Sequence, residues 1–304
     1  MVLTSTDLGR YYKLLGQGKV RDVYEIDAKT LLFVATDRIS AFDVVLENGI
    51  PNKGKILTLM SRFWFTQIPK LLPSASLETH FISLDLPKAL AGTKEGELYQ
   101  DRSMQVKRLK VFPIESIVRG YITGSAWSEY KKSGTVHGIN VGEGLQESQQ
   151  FPTPLWTPST KAEAGQHDEN ITPEQAAKII GSEYANKIAS LSVQIYSAAR
   201  DYAQAHGIII ADTKFEFALD ESTQPPSVVL VDEVLTPDSS RFWDATKYTV
   251  GRPQESLDKQ FLRDWLIANG LKGKEGVTMP AEVAERTYQG YMEAYTRLTG
   301  AESI

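Results

Sequence analysis

The stretch between Gly207 and Trp243 constrains the fold most, because it holds two apolar, β-rich runs separated by a turn. The runs are Ile208–Leu219 and Val228–Leu235, and the turn Asp220–Pro226 ends in two prolines. Such runs on either side of a polar turn predict a β-hairpin. Because side chains alternate between the faces of a strand, the rest of the chain has to cover one apolar face of this hairpin.

Charged residues lie on the other face of the predicted hairpin. Along the first strand Asp212, Lys214 and Glu216 share one face, while Phe215 and Phe217 point into a core. The whole charged set in this region comprises Asp212, Lys214, Glu216, Asp232, Glu233, Asp238 and Arg241. The set is either a solvated strand face with unrelated charges or a single binding site.

The register of the hairpin suggests what such a site would bind. If the hairpin is symmetric about a turn near Thr223 and Gln224, Glu216 lies opposite Asp232, with Cβ atoms about 4.5–5.5 Å apart. Two carboxylates that close repel each other unless a cation or a proton lies between them. Mg²⁺ prefers such oxygen ligands, and phosphates usually complete its coordination. The sequence therefore predicts a magnesium site at Glu216 and Asp232.

Composition narrows the class of protein. The chain has 304 residues, 41% hydrophobic and 23% charged, which is enough for one large domain or two lobes. A formal net charge of −5 argues against a nucleic-acid-binding surface, and the lack of cysteine excludes disulfides and thiolate nucleophiles. The apolar runs are too short to cross a membrane, and no secretory signal is evident. These features favour a soluble enzyme of a reducing compartment.

A glycine-rich segment, Gly16-Gln17-Gly18-Lys19-Val20-Arg21-Asp22, overlaps the first of two predicted strands, Val20–Ile26 and Leu31–Thr36. Glycines let a backbone approach a phosphate closely, and Lys19 and Arg21 fall on one face of the strand. The segment is either an ordinary turn or a cradle for nucleotide phosphates. The segment is not a Walker motif, because its glycine and lysine spacing differs. It is not a Rossmann fingerprint either, because a strand and not a helix follows it.

A second apolar run, Ser116-Ile117-Val118, ends in Arg119. A buried arginine is costly unless it meets an anion, although a structural salt bridge would also satisfy it. The helix predicted to start near Ser125 offers a further anion-binding N-terminus. Earlier in the chain, a helix is predicted over Lys55–Ile68 and is ended by Pro69.

Residues 133–172 form a glycine- and proline-rich stretch with little periodicity, and a loop of this length is usually functional or disordered. A functional loop is favoured over a disordered one, because the stretch carries a polar cluster of Thr160, Lys161, Glu163, His167, Asp168 and Glu169. His167 by itself could equally be structural or solvated. The segment Thr172-Pro173-Glu174-Gln175 then predicts a capped helix start.

Helices are predicted over most of the remaining chain. A long helix, interrupted at Gly181, leads into the hairpin, and two more lie near Leu257–Ala268 and Pro280–Leu298. Lys259 and Arg263 share a face of the first of these two. They either reach the site or are solvated.

Acidic metal ligands, a phosphate loop and several anion-binding basic residues together indicate ATP chemistry. The sequence shows no covalent nucleophile with a positioned base. Phosphoryl transfer does not need one, because positioning, Mg²⁺ and positive charge supply most of the catalysis.

Several segments, in order along nearly the whole chain, resemble the motifs of the SAICAR synthetase family. They are Gly18–Asp22, Thr36–Asp43, Val118–Trp127, Thr157–Lys161, His167–Asn170, Asp212–Phe217 and Asp232–Arg241. These blocks are highly specific, and the chain length and central segment resemble the fungal form. The resemblance implies a cytoplasmic monomer.

The resemblance also implies a reaction with three small-molecule substrates, and no nucleic-acid or membrane partner. ATP, carboxyaminoimidazole ribonucleotide (CAIR) and L-aspartate would give the succinocarboxamide ribonucleotide SAICAR, ADP and phosphate, a step of purine biosynthesis. A carboxylate is a poor acyl donor, because its leaving group would be oxide. Phosphorylation of the CAIR carboxylate would give an acyl phosphate that the amine of aspartate can attack.

The resemblance further implies a role for individual residues. For ATP and Mg²⁺ these are Gly18, Lys19, Arg21, Val23, Lys107, Leu109, Glu115, Glu216 and Asp232, with Lys107 and Leu109 contacting adenine through the backbone. For the ribonucleotide they are Arg119, Ser125, Asp212, Lys214, Asp238, Ser240 and Arg241, of which Asp212, Lys214 and Arg241 are the catalytic candidates. Ser40, Asp43, Lys161, His167 and Asp168 are candidates for the aspartate side, and Lys259 and Arg263 are further substrate-binding candidates.

The implied architecture is a two-lobed SAICAR synthetase-like fold of the α+β or α/β class. Residues 1–110 would form a β-rich ATP-binding lobe with a kinase-like antiparallel sheet. Residues 111–304 would form an α/β lobe that binds substrate and metal and carries the loop 133–172. Two other classes stay open: a kinase of a small hydroxyl-bearing metabolite, with Asp212 as its base, and a catalytically silent nucleotide-binding protein.

Overall fold

The structure, a computed structural model, describes residues 2–161 and 168–304. Up to residue 111 its elements are β1 (Lys13–Gln17), β2 (Arg21–Glu25), β3 (Thr30–Ala35), β4 (Ser40–Ala41), β5 (Val44–Val45), α1 (Lys53–Leu71), β6 (Glu78–Thr79), β7 (Phe81–Ser83), α2 (Lys94–Tyr99), β8 (Ser103–Lys107) and β9 (Lys110–Val111). Five of these strands form an antiparallel sheet in the order β1-β2-β3-β8-β7. The predicted pair of strands after the glycine-rich segment is confirmed as β2 and β3.

The rest of the chain forms a second sheet with helices against it. Its elements are β10 (Ile114–Tyr121), α3 (Gly124–Ser133), β11 (Thr135–Val136), β12 (Ile139–Asn140), β13 (Gln150–Trp156), β14 (Ser159–Thr160), α4 (Pro173–Ile180), α5 (Ser182–Ala205), β15 (Ile208–Asp220), β16 (Ser227–Val231), β17 (Ser240–Asp244), α6 (Gln260–Ala268) and α7 (Ala281–Thr299). β15 is the central strand and pairs with β10, β16, β17 and β9. These pairs are antiparallel, so α+β describes the fold.

One strand of the second sheet comes from the N-terminal part of the chain. β6 runs parallel to β16, with Val229 opposite Glu78 and Leu230 opposite Thr79. The next strand along the chain, β7, belongs to the first sheet. The two sheets are therefore joined by a connection of one residue, His80.

The main core lies between the second sheet and the helices α1, α5 and α7. Phe215 and Phe217 are buried in it, as predicted from their alternation along β15. Trp64 of α1 meets Tyr202 of α5 edge-to-face, with ring centroids 5.5 Å apart. Aromatic pairs of this geometry contribute beyond the area they bury, so the core holds both parts of the chain together.

Local sequence signals set several helix ends. The side chains of Thr172 and Gln175 form the predicted capping box at the start of α4. Gly181 separates α4 from α5, and Gly207, with φ of 75°, follows the end of α5. That left-handed backbone is one that glycine adopts at little cost.

Two sequence expectations about the extent of local elements are wrong. Pro69 lies inside α1, in its last turn, and the helix continues because the Leu72 N–H still bonds to the Ile68 carbonyl at 2.9 Å. Residues 133–172 are not one irregular loop, because they contain β11, β12, β13 and β14. The sequence does not predict β13, because Pro152 and Pro154 argue against a strand. Strands tolerate proline at a sheet edge, and β13 is the edge strand beside β10.

The predicted hairpin exists, but its register is one residue away from the expected one. Asp220 pairs with Ser227 and Glu216 pairs with Val231, so Glu216 does not lie opposite Asp232. Six residues form the turn, and its centre therefore falls between Thr223 and Gln224. A shift of one residue turns a side chain to the opposite face. Asp232 leaves the strand with φ of 66°, and this left-handed backbone redirects its carboxylate towards Lys214.

No helix within residues 2–161 and 168–304 is both long and apolar enough to cross a lipid bilayer.

Candidate active site

A cavity of about 700 Å³ lies between strands β1–β3 on one side and β15 with the residues after β16 on the other. It brings together the nine residues predicted to bind ATP and Mg²⁺ and several of the substrate candidates. Those that line it are Gly18, Lys19, Arg21, Val23, Ser40, Lys107, Leu109, Glu115, Lys161, Asp168, Lys214, Glu216, Asp232, Asp238 and Lys259. We call this cavity the cleft.

Lys214 lies among the carboxylates of the cleft. Its Nζ is 2.6 Å from Glu216 Oε1, 3.4 Å from Glu115 Oε1 and 3.5 Å from Asp232 Oδ2. Glu216 and Asp232 therefore lie side by side about one ammonium group, although they do not face each other across the hairpin. Two more cations reach this pair: Lys161 pairs with Glu216, and Arg21 pairs with Asp232.

The pKa values in this group follow from burial and from these charges. Burial alone would lower the pKa of Lys214, but Glu216, Glu115 and Asp232 raise it well above its usual value. Burial would raise the pKa of Asp232, but Arg21, Lys214 and Lys161 lower it. Burial also raises the pKa of Glu115. Lys214 is thus a permanent cation, and it cannot serve as a general base near neutral pH.

The glycine-rich loop between β1 and β2 is held by Arg38. Its Nη2 donates to the Gly18 carbonyl at 2.9 Å, its Nε donates to the Lys19 carbonyl at 3.3 Å, and the same guanidinium pairs with the buried Asp22 at 2.6 Å. The Gly18 N–H donates to the Arg21 carbonyl at 2.8 Å, and a Cβ on Gly18 would lie 3.0 Å from that oxygen. The loop is therefore built tightly where a phosphate cradle was predicted.

Apolar residues line the part of the cleft beside this loop. They are Val20, Val23, Leu31, Phe33, Leu109 and Val231. Flat apolar walls of this kind suit a purine ring. The Lys107 N–H donates to the His80 carbonyl at 2.8 Å, so a contact between Lys107 and an adenine edge would use the Lys107 carbonyl oxygen.

A second cluster of charges lies along β10, β15 and β17, which place Arg119 beside Asp212 and Asp212 beside Arg241. Arg119 Nη1 donates to Asp212 Oδ2 at 3.2 Å, and Arg241 pairs with the same carboxylate. Burial lowers the pKa of Arg119, whereas Asp212 and Asp258 outweigh burial and raise the pKa of Arg241. One buried carboxylate between a buried guanidinium group, Arg119, and a partly buried one, Arg241, leaves a positive site that favours an anion.

The remaining candidates are more dispersed. Ser125 Oγ accepts from Arg119 at 3.4 Å, and Ser240 Oγ lies 2.8 Å from Thr213 Oγ1. Asp43 pairs with Lys19 at the exposed mouth of the loop. Arg263 does not line the cleft, and its Nη1 lies 3.9 Å from Asp258. His167 lies outside the described residues.

Comparisons with known proteins identify the family of this chain. The profile of the SAICAR synthetase family matches residues 14–280. The phosphoribosylaminoimidazole-succinocarboxamide synthase of Cyberlindnera jadinii is 58% identical over 300 residues, which cover 99% of each chain. The chain belongs to the SAICAR synthetase family.

Solved structures of SAICAR synthetases share the fold. A SAICAR-synthase from Saccharomyces cerevisiae complexed with SAICAR superposes with a TM-score of 0.89 at 51% identity, covering 98% of each chain. A SAICAR synthetase in complex with ADP gives a TM-score of 0.69 at 26% identity, covering 95% of this chain and 99% of that one. The SAICAR synthetase-like architecture expected from the sequence is confirmed.

As a SAICAR synthetase, this enzyme is an ATP-dependent carbon–nitrogen ligase of purine biosynthesis. It joins L-aspartate to the carboxylate of CAIR, and its products are SAICAR, ADP and phosphate. The comparisons give no support to the alternative of a small-metabolite kinase.

Sequence reasoning missed two buried residues beside the cleft of this SAICAR synthetase. Lys53 is fully buried, and its Nζ donates to Asp238 Oδ2 at 2.7 Å, while Tyr291 donates to Oδ1 at 2.6 Å. His80 lines the cleft, and its ring lies 3.2 Å from the Asp232 carbonyl. Neither carries a local signal, because a lysine in the first turn of a helix is ordinarily solvated and His80 lies in a segment without periodicity.

Proposed function

We propose that ATP lies in the cleft with adenine against the apolar wall and its phosphates between the glycine-rich loop and the Glu216–Asp232 pair. The observation that carries this proposal is the chain of ion pairs from Arg21, on the strand after the loop, through Asp232 to Lys214 and Glu216. It joins positive and metal-binding groups in one connected network beside the glycine-rich loop, and phosphoryl transfer uses both kinds of group.

Glu216 and Asp232 are the proposed ligands of Mg²⁺. Within the part of the chain that the structure describes, no three His, Cys, Asp or Glu side chains are grouped to hold a metal by themselves. Mg²⁺ is commonly held by one or two carboxylates, with phosphates and water completing its shell. The paired hard oxygens fit that role, and the bound ion would neutralise developing phosphate charge.

The cluster of Arg119, Asp212 and Arg241, with Ser125 and Ser240, is proposed to hold the phosphate and ribose of CAIR. Its net positive charge, and the position of Asp212 on β15 two residues from Lys214, would place the CAIR carboxylate towards the nucleotide. The aspartate side is assigned to Ser40, Asp43, Lys161, His167 and Asp168, and Asp238, Lys259 and Arg263 remain candidate substrate contacts.

The proposed chemistry has two steps. The γ-phosphoryl group passes to a carboxylate oxygen of CAIR, and ADP leaves. The amine of L-aspartate then attacks the acyl carbon, and phosphate leaves as the amide forms. Lys214, fixed as a cation by Glu216 and Glu115, would stabilise the negative charge between carboxylate and phosphoryl group.

Removing either acidic charge tests the metal role. We expect Glu216→Gln and Asp232→Asn to lower kcat by about 10²-fold or more, and to raise the Mg²⁺ concentration needed for half-maximal rate. Glu255→Gln, which removes an exposed carboxylate paired with Lys247, is the matched control. Near wild-type rates in the two cleft variants, with thermal stability unchanged, would contradict the proposal.

A monomeric state and a cytoplasmic location stay predictions from the sequence. Light scattering and cell fractionation would test them.

A further inference from the structure

The hairpin of β11 and β12 carries a histidine at its tip. The two turn residues, His137 and Gly138, both have left-handed backbones, with φ of 49° and 74°. Such turns favour Asn, Asp or Gly, and a histidine there is uncommon. His137 is nevertheless only 3% exposed, so the turn directs an imidazole into the protein.

The hydrogen bonds of His137 fix which ring nitrogen carries the proton. Nδ1 lies 3.0 Å from the carbonyl oxygen of Pro158, which can only accept, so Nδ1 is the protonated nitrogen. Burial and the neighbouring Arg119 lower the pKa of His137, and the ring is therefore neutral near pH 7. Nε2 then presents a lone pair, and it lies 3.4 Å from Nη2 of Arg119, which can only donate.

The other contacts of Arg119 orient its guanidinium plane from different sides. Nε donates to Thr157 Oγ1 at 3.1 Å and Nη1 to Asp212 at 3.2 Å, while Nη2 is shared between Ser125 and His137. Asp212 is the charged partner among these and also pairs with Arg241. A neutral acceptor at His137 can therefore orient Arg119 without cancelling the charge that an anionic ligand needs.

We propose that His137 is a positioning residue: its imidazole, donating to Pro158 and accepting from Arg119, fixes the guanidinium in the orientation that binds the ribonucleotide. The proposal rests on the proposed role of Arg119 as a ribonucleotide ligand.

Two substitutions separate the two hydrogen bonds of the ring. His137→Asn tolerates the left-handed backbone and can donate to the Pro158 carbonyl, but it is too short to accept from Arg119. We expect its KM for CAIR to rise about tenfold, as loss of one hydrogen bond to a charged group predicts, with kcat and the KM for ATP within about twofold of wild type. His137→Gln, which can place an oxygen near the Nε2 position, should restore part of the loss. Dissociation constants for SAICAR, measured by calorimetry in the absence of turnover, should rise in the same order: wild type, His137→Gln, His137→Asn.

Glu129→Gln is the structural control, because Glu129 Oε1 accepts from the Gly138 N–H at 3.2 Å and from Thr135 at 3.1 Å. It weakens the same hairpin without removing a hydrogen bond of Arg119. The Glu129 charge also acts on Arg119 at longer range, so its loss should, if anything, favour an anionic ligand. If it raises the KM for CAIR as much as His137→Asn does, hairpin integrity explains the effect and the inference is overturned.

Arg119→Lys, measured in parallel, distinguishes the two proposals. If this variant leaves the affinity for CAIR unchanged, the role proposed for Arg119 fails, and the inference fails with it. If Arg119→Lys weakens CAIR while His137→Asn does not, only the role of His137 is overturned.

Discussion

His80 is a buried residue of the cleft whose protonation makes the stability of the fold depend on pH. Its ring lies between Phe33 and Phe65, at centroid distances of 5.5 and 5.3 Å, and burial lowers its pKa from 6.5 to about 3. The neutral ring donates through Nε2 to the Asp232 carbonyl. The unfolded chain binds a proton near pH 6.5, whereas the folded chain does not until about pH 3. Stability from His80 is therefore present above pH 6.5 and is lost progressively as the pH falls towards 3.

We expect this residue to make the free energy of unfolding fall by about 1.4 kcal/mol per pH unit below pH 6.5. His80→Gln lacks this titration, so its free energy of unfolding should decline less between pH 7 and pH 5, as measured by urea unfolding. Burial raises the pKa values of Glu115 and Glu233. Protonation of these two carboxylates stabilises the fold as the pH falls, both in the wild type and in His80→Gln. The difference between the pH slopes of the two proteins therefore reports on His80 alone. Identical slopes would rule out this account.

Among the secondary-structure elements, the β1–β2 hairpin depends on a side chain from outside it. Arg38 donates to two carbonyls of its glycine-rich loop and pairs with Asp22. Arg102 makes a similar buried pair with Asp37 at 2.9 Å, but it bonds to Ala35 and not to the loop. The chain thus offers two matched buried ion pairs, of which one holds the loop.

Replacing each arginine by lysine tests whether the loop conformation matters for nucleotide binding. Lysine keeps the charge but loses the planar fork of donors. We expect Arg38→Lys to raise the KM for ATP about tenfold with little change in the KM for CAIR. Arg102→Lys should lower the melting temperature and leave both KM values near wild type. An equal effect of the two variants on ATP would show that general destabilisation is responsible.

Elements were predictable where local patterns determine them. The capping box at Thr172 and the alternation of Phe215 and Phe217 depend on neighbours in the sequence, and both are confirmed. The register of Glu216 was wrong by one residue, because it depends on where pairing begins beyond the turn.

The same distinction applies to the candidate site. The loop residues Gly18, Lys19 and Arg21 and the β15 residues Lys214 and Glu216 line the cleft, whereas Asp212 of β15 lies in the second cluster with Arg119 and Arg241. Lys53 and His137 could not be predicted, because elements distant along the chain bury them. The roles of the site residues stay predictions until variants are measured.

Across the whole molecule, the core does not divide at residue 110. Trp64 of α1 packs against Tyr202 of α5, and residues of both proposed lobes share one buried cluster. β6 also hydrogen-bonds to β16 in the second sheet. Cooperative unfolding of the two lobes follows from this shared packing, since neither can keep its buried surface after the other unfolds.

We therefore expect circular dichroism and tryptophan fluorescence to report one coincident transition in urea. Trp64→Ala should lower the free energy of unfolding by about 3–5 kcal/mol and move that whole transition. Ile267→Ala, at a side chain that is 54% exposed, is the control and should change it by less than about 0.5 kcal/mol. Two transitions, of which Trp64→Ala shifts one alone, would show that the lobes are independent.

The one-residue link between β6 and β7 limits how far the two sheets can separate at that end. His80 connects β6 of the second sheet directly to β7, the edge strand of the first. Rotation of the two sheets away from each other at that end would therefore break main-chain hydrogen bonds. At the opposite edge, β1 is exposed along its whole length. If ATP binds in the cleft as proposed, we expect it to enter, and ADP to leave, on the side of β1, where bending of the exposed β1–β2 hairpin would widen the opening.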